Sequence, residues 1–289
     1  MGWLFDNLTD WLRQLLTDAI MVSYYSMFDT VNTQVTDLAV QVGQTPESWH
    51  SGVFAMIGTL SESVVLPIAG VILTYIMCYE LIQLVLEKNN MADFDTFNIF
   101  KWLFKTFVAV FILTHTFDIV MSIFSLAQRG INQSAGLITG SLDLGSGMMM
   151  ATIYAQLQSM GIAELYLTFY ETQIVTLGMN IMAIIIFIMS FGRMIEIYLV
   201  TSLAPIPLST MANKEWGQMG NNYLRSLAAL AFQGFLIMVC LAIYALLIST
   251  IPFTGHIHFT SWTVLGYCVL LCFALLKSGN LAKSIFNAH

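Results

Sequence analysis

Long apolar stretches are the feature that most constrains the fold of this chain. The sequence contains five such stretches. Each is close to or above the roughly 20 residues that a helix needs to cross the hydrocarbon core of a bilayer. Only 9% of the residues are charged and 57% are hydrophobic, whereas about 25% are charged in soluble domains. The sequence therefore predicts an all-α, polytopic transmembrane protein with about five spans. The stretches cover residues 64–86, 101–125, 174–202, 225–251 and 260–277.

Lysine and arginine residues are distributed unevenly between alternate connections of the predicted spans. One set of loops and ends contains only Arg13 and Arg129. Because basic residues in short loops stay on the cytoplasmic side, this asymmetry predicts a multi-pass protein of the cell membrane, with its N-terminus outside and its C-terminus in the cytoplasm. The basic residues of the cytoplasmic set are Lys88, Lys101, Lys105, Lys214, Arg225, Lys277 and Lys283.

An amphipathic helix is predicted over residues 3–20, before the first span. Its apolar stripe repeats at helical spacing, and Asp6, Asp10 and Asp18 make the opposite side acidic. We expect the apolar stripe to dock on the membrane or on a partner at the non-cytoplasmic side, with packing against the protein's own helices as the alternative. The docking residues are Trp3, Leu4, Leu8, Trp11, Leu12 and Leu15.

The predicted spans divide the chain into five segments. Between the second and third spans, a stretch rich in glycine and serine precedes an amphipathic stretch, which predicts an extracytoplasmic loop that contains a helix. Thr45 followed by Pro46 predicts a helix start in the N-terminal region. The segments are an amphipathic, non-cytoplasmic N-terminal region (1–63), the first two spans (64–128), the extracytoplasmic loop (129–172), the last three spans (173–277) and a short cytoplasmic tail (278–289).

Ionisable residues inside apolar spans are candidates for function, because a charge in the bilayer is costly. Glu80 in the first span is placed to pair with Lys105 in the second, which would be a structural bridge. His115 and Asp118 lie three residues apart in the second span. They would form a proton relay if they lie in mid-span, and would simply be hydrated if they lie near its outer end.

The third span contains a second charged pair and ends in two prolines. Arg193 and Glu196 share one helix face, which predicts a salt bridge, with extension of Arg193 to the cytoplasmic interface as the alternative. Pro205 and Pro207 remove backbone donors and predict a break in the helix near the cytoplasmic boundary. An ordinary helix end is the alternative interpretation of this proline segment.

The sequence lacks the motifs that would indicate catalysis or cofactor binding. It contains no Gly-x-x-x-x-Gly-Lys phosphate loop, no Gly-x-Ser-x-Gly elbow and no His-Glu-x-x-His zinc helix. Its four cysteines form no Cys-x-x-Cys pair. The net charge of −7 provides no evident basic surface for sequence-independent binding of nucleic acid. We therefore expect a protein that is not an enzyme and holds no metal or cofactor.

A series of short segments resembles the TrbL-like conjugal transfer proteins, in the same order along the chain. These proteins are polytopic membrane subunits of type IV secretion systems, here of the kind found in Gram-positive conjugative elements. The resemblance covers essentially the whole chain. The segments are Met1–Phe5, Cys78–Gln83, Thr114–Asp118, Arg193–Tyr198, Ala204–Pro207, Glu215–Trp216, Tyr223–Ser226 and Phe232–Phe235.

The resemblance implies a channel or platform component of the conjugation apparatus. It implies assembly in the lipid bilayer with other secretion subunits, including energising ATPases, and only transient contact with the transferred single-stranded DNA and its relaxase. We also expect a homo-oligomer. Because the resemblance implies no catalytic residue, we predict structural roles for Arg193, Glu196, Pro205, Pro207, Arg225 and Gln233.

An ion-coupled transporter or proton channel is the alternative function. Many such transporters contain duplicated halves, and five spans do not divide evenly, so the sequence favours the secretion subunit. A protein that permeabilises the membrane is a third interpretation. The residues that a transporter would use are Glu80, His115, Asp118 and Arg193.

Overall fold

The computed structural model describes residues 2–86, 96–138, 147–251 and 257–288, in which every regular element is helical. This result confirms the predicted all-α fold. A π-helical turn (Ser61–Val65) joins α3 to α4, and a 3₁₀ turn (Thr210–Ala212) follows α9. The helices are α1 (Gly2–Val42), α2 (Pro46–Trp49), α3 (Ser51–Leu60), α4 (Leu66–Leu86), α5 (Thr96–Thr114), α6 (Thr116–Ile138), α7 (Gly147–Ser159), α8 (Ile162–Ser202), α9 (Pro205–Ser209), α10 (Gly217–Ser249) and α11 (Ile257–Ile285).

Five helical segments of the described chain are long and apolar enough to cross a membrane, which confirms the predicted number. The first begins earlier than predicted, because α3, the π-helical turn and α4 follow one another without a gap. The third is also longer, since α8 already begins at Ile162. The segments are Ser51–Leu86, Phe97–Thr114, Ile162–Ala212, Gly217–Ser249 and Thr260–Ile285.

A one-residue turn at His115 divides the second predicted span, so its apolar helix α5 ends at Thr114 and residues 116–125 belong to α6. Three adjacent side chains bind carbonyl oxygens of the preceding turn. The hydroxyl of Thr114 donates to Val110 (3.0 Å), Nδ1 of His115 lies 3.0 Å from the carbonyl oxygen of Phe111, and the hydroxyl of Thr116 donates to the preceding turn as well. Such side chains compete with the backbone for its acceptors and favour a bend.

The N-terminal helix α1 is continuous from Gly2 to Val42, although an amphipathic helix is predicted only over residues 3–20. Its second half lies beside α8, where Gln173 donates to Ser23 (2.8 Å) and Ser190 donates to Gln41 (2.6 Å). From the first pair to the second, the residue number rises by 18 in α1 and by 17 in α8. Residues 23–41 of α1 therefore run parallel to an apolar segment of the third span.

The start of α2 confirms the predicted helix start at Thr45 and Pro46. The backbone N–H of Ser48 donates to the Thr45 hydroxyl (3.2 Å), and the backbone N–H of Thr45 donates to the Ser48 hydroxyl (3.0 Å). Pro46 occupies a first-turn position of α2, where its missing N–H removes no helical hydrogen bond. This reciprocal capping box separates α2 from α1.

The described residues form two compact units, of which the first lies within 1–43, 132–191 and 237–277. Its interior contains a hydrogen bond of 2.6 Å between the hydroxyl groups of Tyr24 in α1 and Ser261 in α11. Burial raises the pKa of Tyr24 to about 12, so the phenol stays protonated at neutral pH. Arg13 of α1 donates to the backbone carbonyl of Gln158 at the end of α7 (3.2 Å).

The second unit comprises residues 44–131, 192–236 and 278–288 of the described chain. One of its apolar cores joins α6, the end of α8 and the start of α10 around Phe124, Ile197 and Leu227. A second core joins α4 and α5 to the segment after α8. Its buried residues are Ala69, Leu73, Ile76, Met77 and Leu113.

Candidate functional site

The α8–α10 junction, residues 203–216 of the second unit, is the irregular segment that ends the third span and leads to the fourth. Helix α8 ends at Ser202, and Pro205 begins the short helix α9. The hydroxyl of Ser209 donates to Ile206 (2.7 Å), and that of Thr210 donates to Pro207 (2.7 Å), so side chains stabilise this turn locally. The helix therefore ends where the two prolines predict it, because neither can donate a backbone hydrogen bond.

Helices α4 and α5 cover the junction. Ile206 and Ala212 pack against the apolar core that contains Leu73, Ile76 and Leu113. Irregular backbone inside a membrane protein is tolerated where protein buries it or where it borders water. At these two residues the covering is protein, so the break is an integral part of the packed second unit.

A polar turn closes the junction before α10. The side-chain carbonyl of Asn213 accepts hydrogen bonds from the backbone N–H groups of Glu215 (2.7 Å) and Trp216 (3.4 Å). The Trp216 ring lies nearly parallel to the rings of Tyr75 and Tyr79 in α4, with centroids 5.9 and 6.1 Å away. The turn is therefore attached to α4 by aromatic contacts that spacing along the chain does not reveal.

A glycine allows α10 to approach the junction closely. A Cβ atom at Gly220 would lie 2.6 Å from the backbone carbonyl oxygen of Pro207 and 2.1 Å from Cγ of Met211. Both distances are too short for any larger residue without movement of α9 or α10. Gly220 carries no signal in its local sequence, because nothing there shows which backbone it meets.

Two adjoining cavities lie along the junction. The basic cavity, of about 530 Å³, contains the cations Lys105, Lys214 and Arg225. The apolar groove, of about 370 Å³, follows one side of α5 from Phe104 to Ile112. The remaining side chains and backbone of the basic cavity come from Met211, Ala212, Asn213, Gly217, Gln218, Asn221 and Asn222.

Glu80 and Lys105 form the predicted ion pair between α4 and α5. Both side chains are partly buried, and Oε2 of Glu80 is buried without a hydrogen-bond partner. The pair holds the first and second spans together at the edge of the basic cavity. The charge of Lys105 is therefore already balanced, whereas Lys214 and Arg225 are exposed.

Arg193 and Glu196 do not form the predicted salt bridge. The carboxylate of Glu196 lies 3.7 Å from Nζ of Lys283 in α11. Arg193 is only 6% exposed, so it does not extend to the surface of the protein either. Its guanidinium packs against Gly234 of α10, and its Nε is buried without a hydrogen-bond partner.

Gln233, the neighbour of Gly234, connects α10 to the last helix. Its side-chain amide donates to the hydroxyl of Ser278 (3.4 Å) and lies 3.2 Å from where a Cβ atom of Gly279 would be. Both partners belong to the second unit. Gln233 thus contacts α11 through a hydrogen bond and close packing, and its structural role stays a prediction.

His115 and Asp118 lie beyond the apolar segment that ends at Thr114, and both are exposed on the second unit. The His115 ring stacks on Phe111, with the centroids 4.4 Å apart. Asp118 lies in the first turn of α6. His115 and Asp118 form no hydrogen bond with each other in the structure, and a hydrated position near the end of the span stays a prediction.

The predicted docking stripe of α1 is open wherever its side chains are described. Leu8, Trp11, Leu12 and Leu15 are all exposed, whereas the side chains of Trp3 and Leu4 lie outside the described residues. A different face of α1, which includes Ile20, packs inside the first unit. Helix α1 thus packs against the protein's own helices through the face that includes Ile20, and not through the described docking residues.

Comparison with known proteins gives one family. No curated protein and no solved structure matches the chain. The family model described as TrbL/VirB6 plasmid conjugal transfer like protein matches residues 31–205, which extend from the second half of α1 through the first three spans to the start of α9. The chain therefore belongs to the TrbL/VirB6 plasmid conjugal transfer-like family.

Proposed function

We propose that this protein is a channel or platform subunit of a type IV secretion apparatus, which moves single-stranded DNA with its relaxase across the cell membrane. The family match to residues 31–205 is the observation that carries the proposal. As a member of that family, the protein is a membrane component of conjugal transfer. The five apolar helical segments agree with this role.

The poor covering of the second span supports a role inside a larger assembly. Only 6% of the segment Phe97–Thr114 is buried within the chain. Phe100, Phe104, Phe107 and Phe111 are exposed along one side of α5. We propose that lipid and neighbouring subunits, including further copies of this chain, cover such surfaces in the assembled apparatus.

The charge distribution supports an orientation with the N-terminus outside and the C-terminus in the cytoplasm. In this orientation the α8–α10 junction, with Lys214 and Arg225, faces the cytoplasm. Energising ATPases of the apparatus would act on that side, because ATP is a cytoplasmic nucleotide. We propose that the junction lies near these partners.

The described structure gives no specific support to the transporter alternative. Glu80 is paired with Lys105, Arg193 is buried against Gly234, and His115 stacks on Phe111. These groups make separate contacts instead of forming one chain of hydrogen bonds. A proton pathway needs ionisable groups or waters in continuous contact.

An in-frame deletion of the gene in a donor strain tests the proposed function. We expect DNA transfer to recipients to be lost at normal donor growth, and to return when the gene is supplied in trans. Capture of the transferred strand on this protein by crosslinking during mating would support the channel role over the platform role. Undiminished transfer by the deletion strain would overturn the proposal.

Proton uptake by the purified protein in vesicles tests the alternative function, an ion-coupled transporter or proton channel. A secretion subunit should show no substrate-coupled flux without its partners. Flux that depends on Glu80 and His115 would favour the transporter.

A further inference from the structure

The basic cavity is positively charged and lies beside a connection between two spans. Its cations come from α5, from the polar turn and from α10, and no acidic residue is among the described residues that line it. Glu80 balances Lys105 from outside the cavity, so Lys214 and Arg225 supply its available charge. The first two turns of α10 also border it, and the positive end of this long helix adds to the attraction for an anion.

The apolar groove continues directly from the basic cavity. Lys105, Met211 and Ala212 line both spaces. From Lys105 the groove follows α5 through Val108 and Ala109 to Ile112, with apolar side chains on its other side. The second unit therefore contains a basic cavity, lined also by side-chain amides, that is joined to an apolar groove along the spanning helix α5.

A ligand that fits both spaces must have an anionic head and an apolar tail. Phosphate groups are bound well by guanidinium and ammonium groups together with amide donors. Basic pockets beside spanning helices at the cytoplasmic side suit anionic phospholipid headgroups. We propose that the second unit binds one anionic phospholipid, with its phosphate at Lys214 and Arg225 and an acyl chain in the apolar groove.

Binding of defined lipids to the purified full-length chain tests the proposal. The protein is stripped of lipid in a neutral detergent, and binding of phosphatidylglycerol and phosphatidylcholine is compared by native mass spectrometry. We expect tighter binding of phosphatidylglycerol. The variant Lys214→Gln/Arg225→Gln should weaken this binding by about tenfold or more, because each cation near a phosphate contributes about 1 kcal/mol, while binding of phosphatidylcholine should not change.

A charge-matched variant controls for the net loss of two positive charges. Lys101 and Lys277 are exposed and line neither the basic cavity nor the apolar groove. Lys101→Gln/Lys277→Gln should therefore keep the affinity of the unmodified protein, as should the charge-conserving variant Lys214→Arg/Arg225→Lys to within a few-fold. Equal losses in both double glutamine variants, or equal binding of the two lipids, would overturn the proposal.

The groove distinguishes a lipid from free phosphate. Val108→Trp places a large side chain in the groove and should weaken phosphatidylglycerol binding at least severalfold, without changing the binding of glycerophosphoglycerol, which has no acyl chains. Val110→Trp, on another side of α5, is the control. If inorganic phosphate or glycerophosphoglycerol binds as tightly as the lipid, the site is a phosphate site and the lipid proposal is wrong.

Single-stranded DNA is the other polyanion to test at this cavity. A 20-nucleotide oligomer should not compete with phosphatidylglycerol for the purified protein. Competition that disappears in Lys214→Gln/Arg225→Gln would assign the cavity to nucleic acid and overturn the lipid proposal.

Discussion

The guanidinium of Arg193 in α8 packs directly on Gly234 in α10. A Cβ atom at residue 234 would lie 2.6 Å from Nη2 of Arg193 and 2.6 Å from Cδ1 of Ile131. The arginine is only 6% exposed, so this contact lies inside the second unit. A glycine at position 234 therefore allows this close approach, and any larger residue there requires the ends of the Arg193 and Ile131 side chains to move.

Gly234→Ala should destabilise the protein, because the added methyl group collides with both neighbours. We expect a loss of about 1–3 kcal/mol, the usual range for overpacking a well-packed interior. Thermal unfolding in detergent measures it. Gly192→Ala is the control, since residue 192 precedes Arg193 in the same helix and an added Cβ would meet no atom within 4 Å.

Relief of the collision distinguishes overpacking from a general intolerance of alanine at position 234. Arg193→Met removes the rigid guanidinium, so Gly234→Ala should cost less in that background than in the unmodified protein. Equal costs in the two backgrounds would show that the contact with Arg193 is not the cause.

Glu80 and Lys105 should be energetically coupled. Removal of either charge leaves its partner partly buried and unpaired, which is unfavourable in the interior of a membrane protein. Glu80→Gln and Lys105→Gln should each lower the unfolding temperature, and the double variant should lose less than the sum. A double-mutant cycle should give a coupling of about 0.5–2 kcal/mol. Strict additivity would indicate that the pair contributes nothing to stability.

Hydropathy was enough to predict the fold class and the number of spans, because both depend on the length and composition of apolar stretches. The Glu80–Lys105 pair was also predictable, since a short connection brings two consecutive spans together. The turn at His115, which divides the second span, was not predicted from hydropathy. The polar residues Thr114, His115 and Thr116 were the sequence signal for it. Hydropathy scales do not register their hydrogen bonds to the preceding turn.

Contacts between distant segments account for the differences at the candidate site. Arg193 and Glu196 share a helix face, and that spacing favours a local salt bridge. Glu196 instead meets Lys283 of α11, and Arg193 meets Gly234 of α10. No local pattern distinguishes Gly234 or Gly220 from other glycines, because only the approach of a second helix creates the need for one.

The two prolines of the junction should be needed for transfer but not for membrane insertion. Pro205→Ala/Pro207→Ala restores two backbone donors, so α8 can continue through the short helix α9 and displace the turn that holds Trp216 against α4. We expect a lower transfer frequency with a normal amount of protein in the membrane fraction. Pro67→Ala is the control for loss of a proline from a spanning segment, because Pro67 is exposed in the first turn of α4. Normal transfer by the double variant would show that the break has no functional role.

The exposed stripe of α1 should contribute to assembly rather than to folding. Trp11 is 59% exposed and Ile20 is completely buried on the same helix. Trp11→Ser/Leu15→Ser should leave thermal unfolding nearly unchanged and reduce both transfer and co-purification with other secretion subunits. Ile20→Ala should instead destabilise the protein by about 2–4 kcal/mol through the cavity that it leaves. Unchanged transfer by the serine variant at normal expression would rule out a docking role for the stripe.

Cysteine labelling in whole cells should show the predicted orientation. After replacement of the native cysteines by serine, Ser159→Cys at the end of α7 should react with a membrane-impermeant maleimide from outside. Asn287→Cys, beyond the end of α11 and of the fifth span, should react only after the membrane is permeabilised, because the basic residues of the junction and the C-terminal end belong on the cytoplasmic side. Both residues are exposed, so accessibility within the protein does not limit either reaction. The reverse labelling pattern would invert the topology and place Lys214 and Arg225 outside the cell.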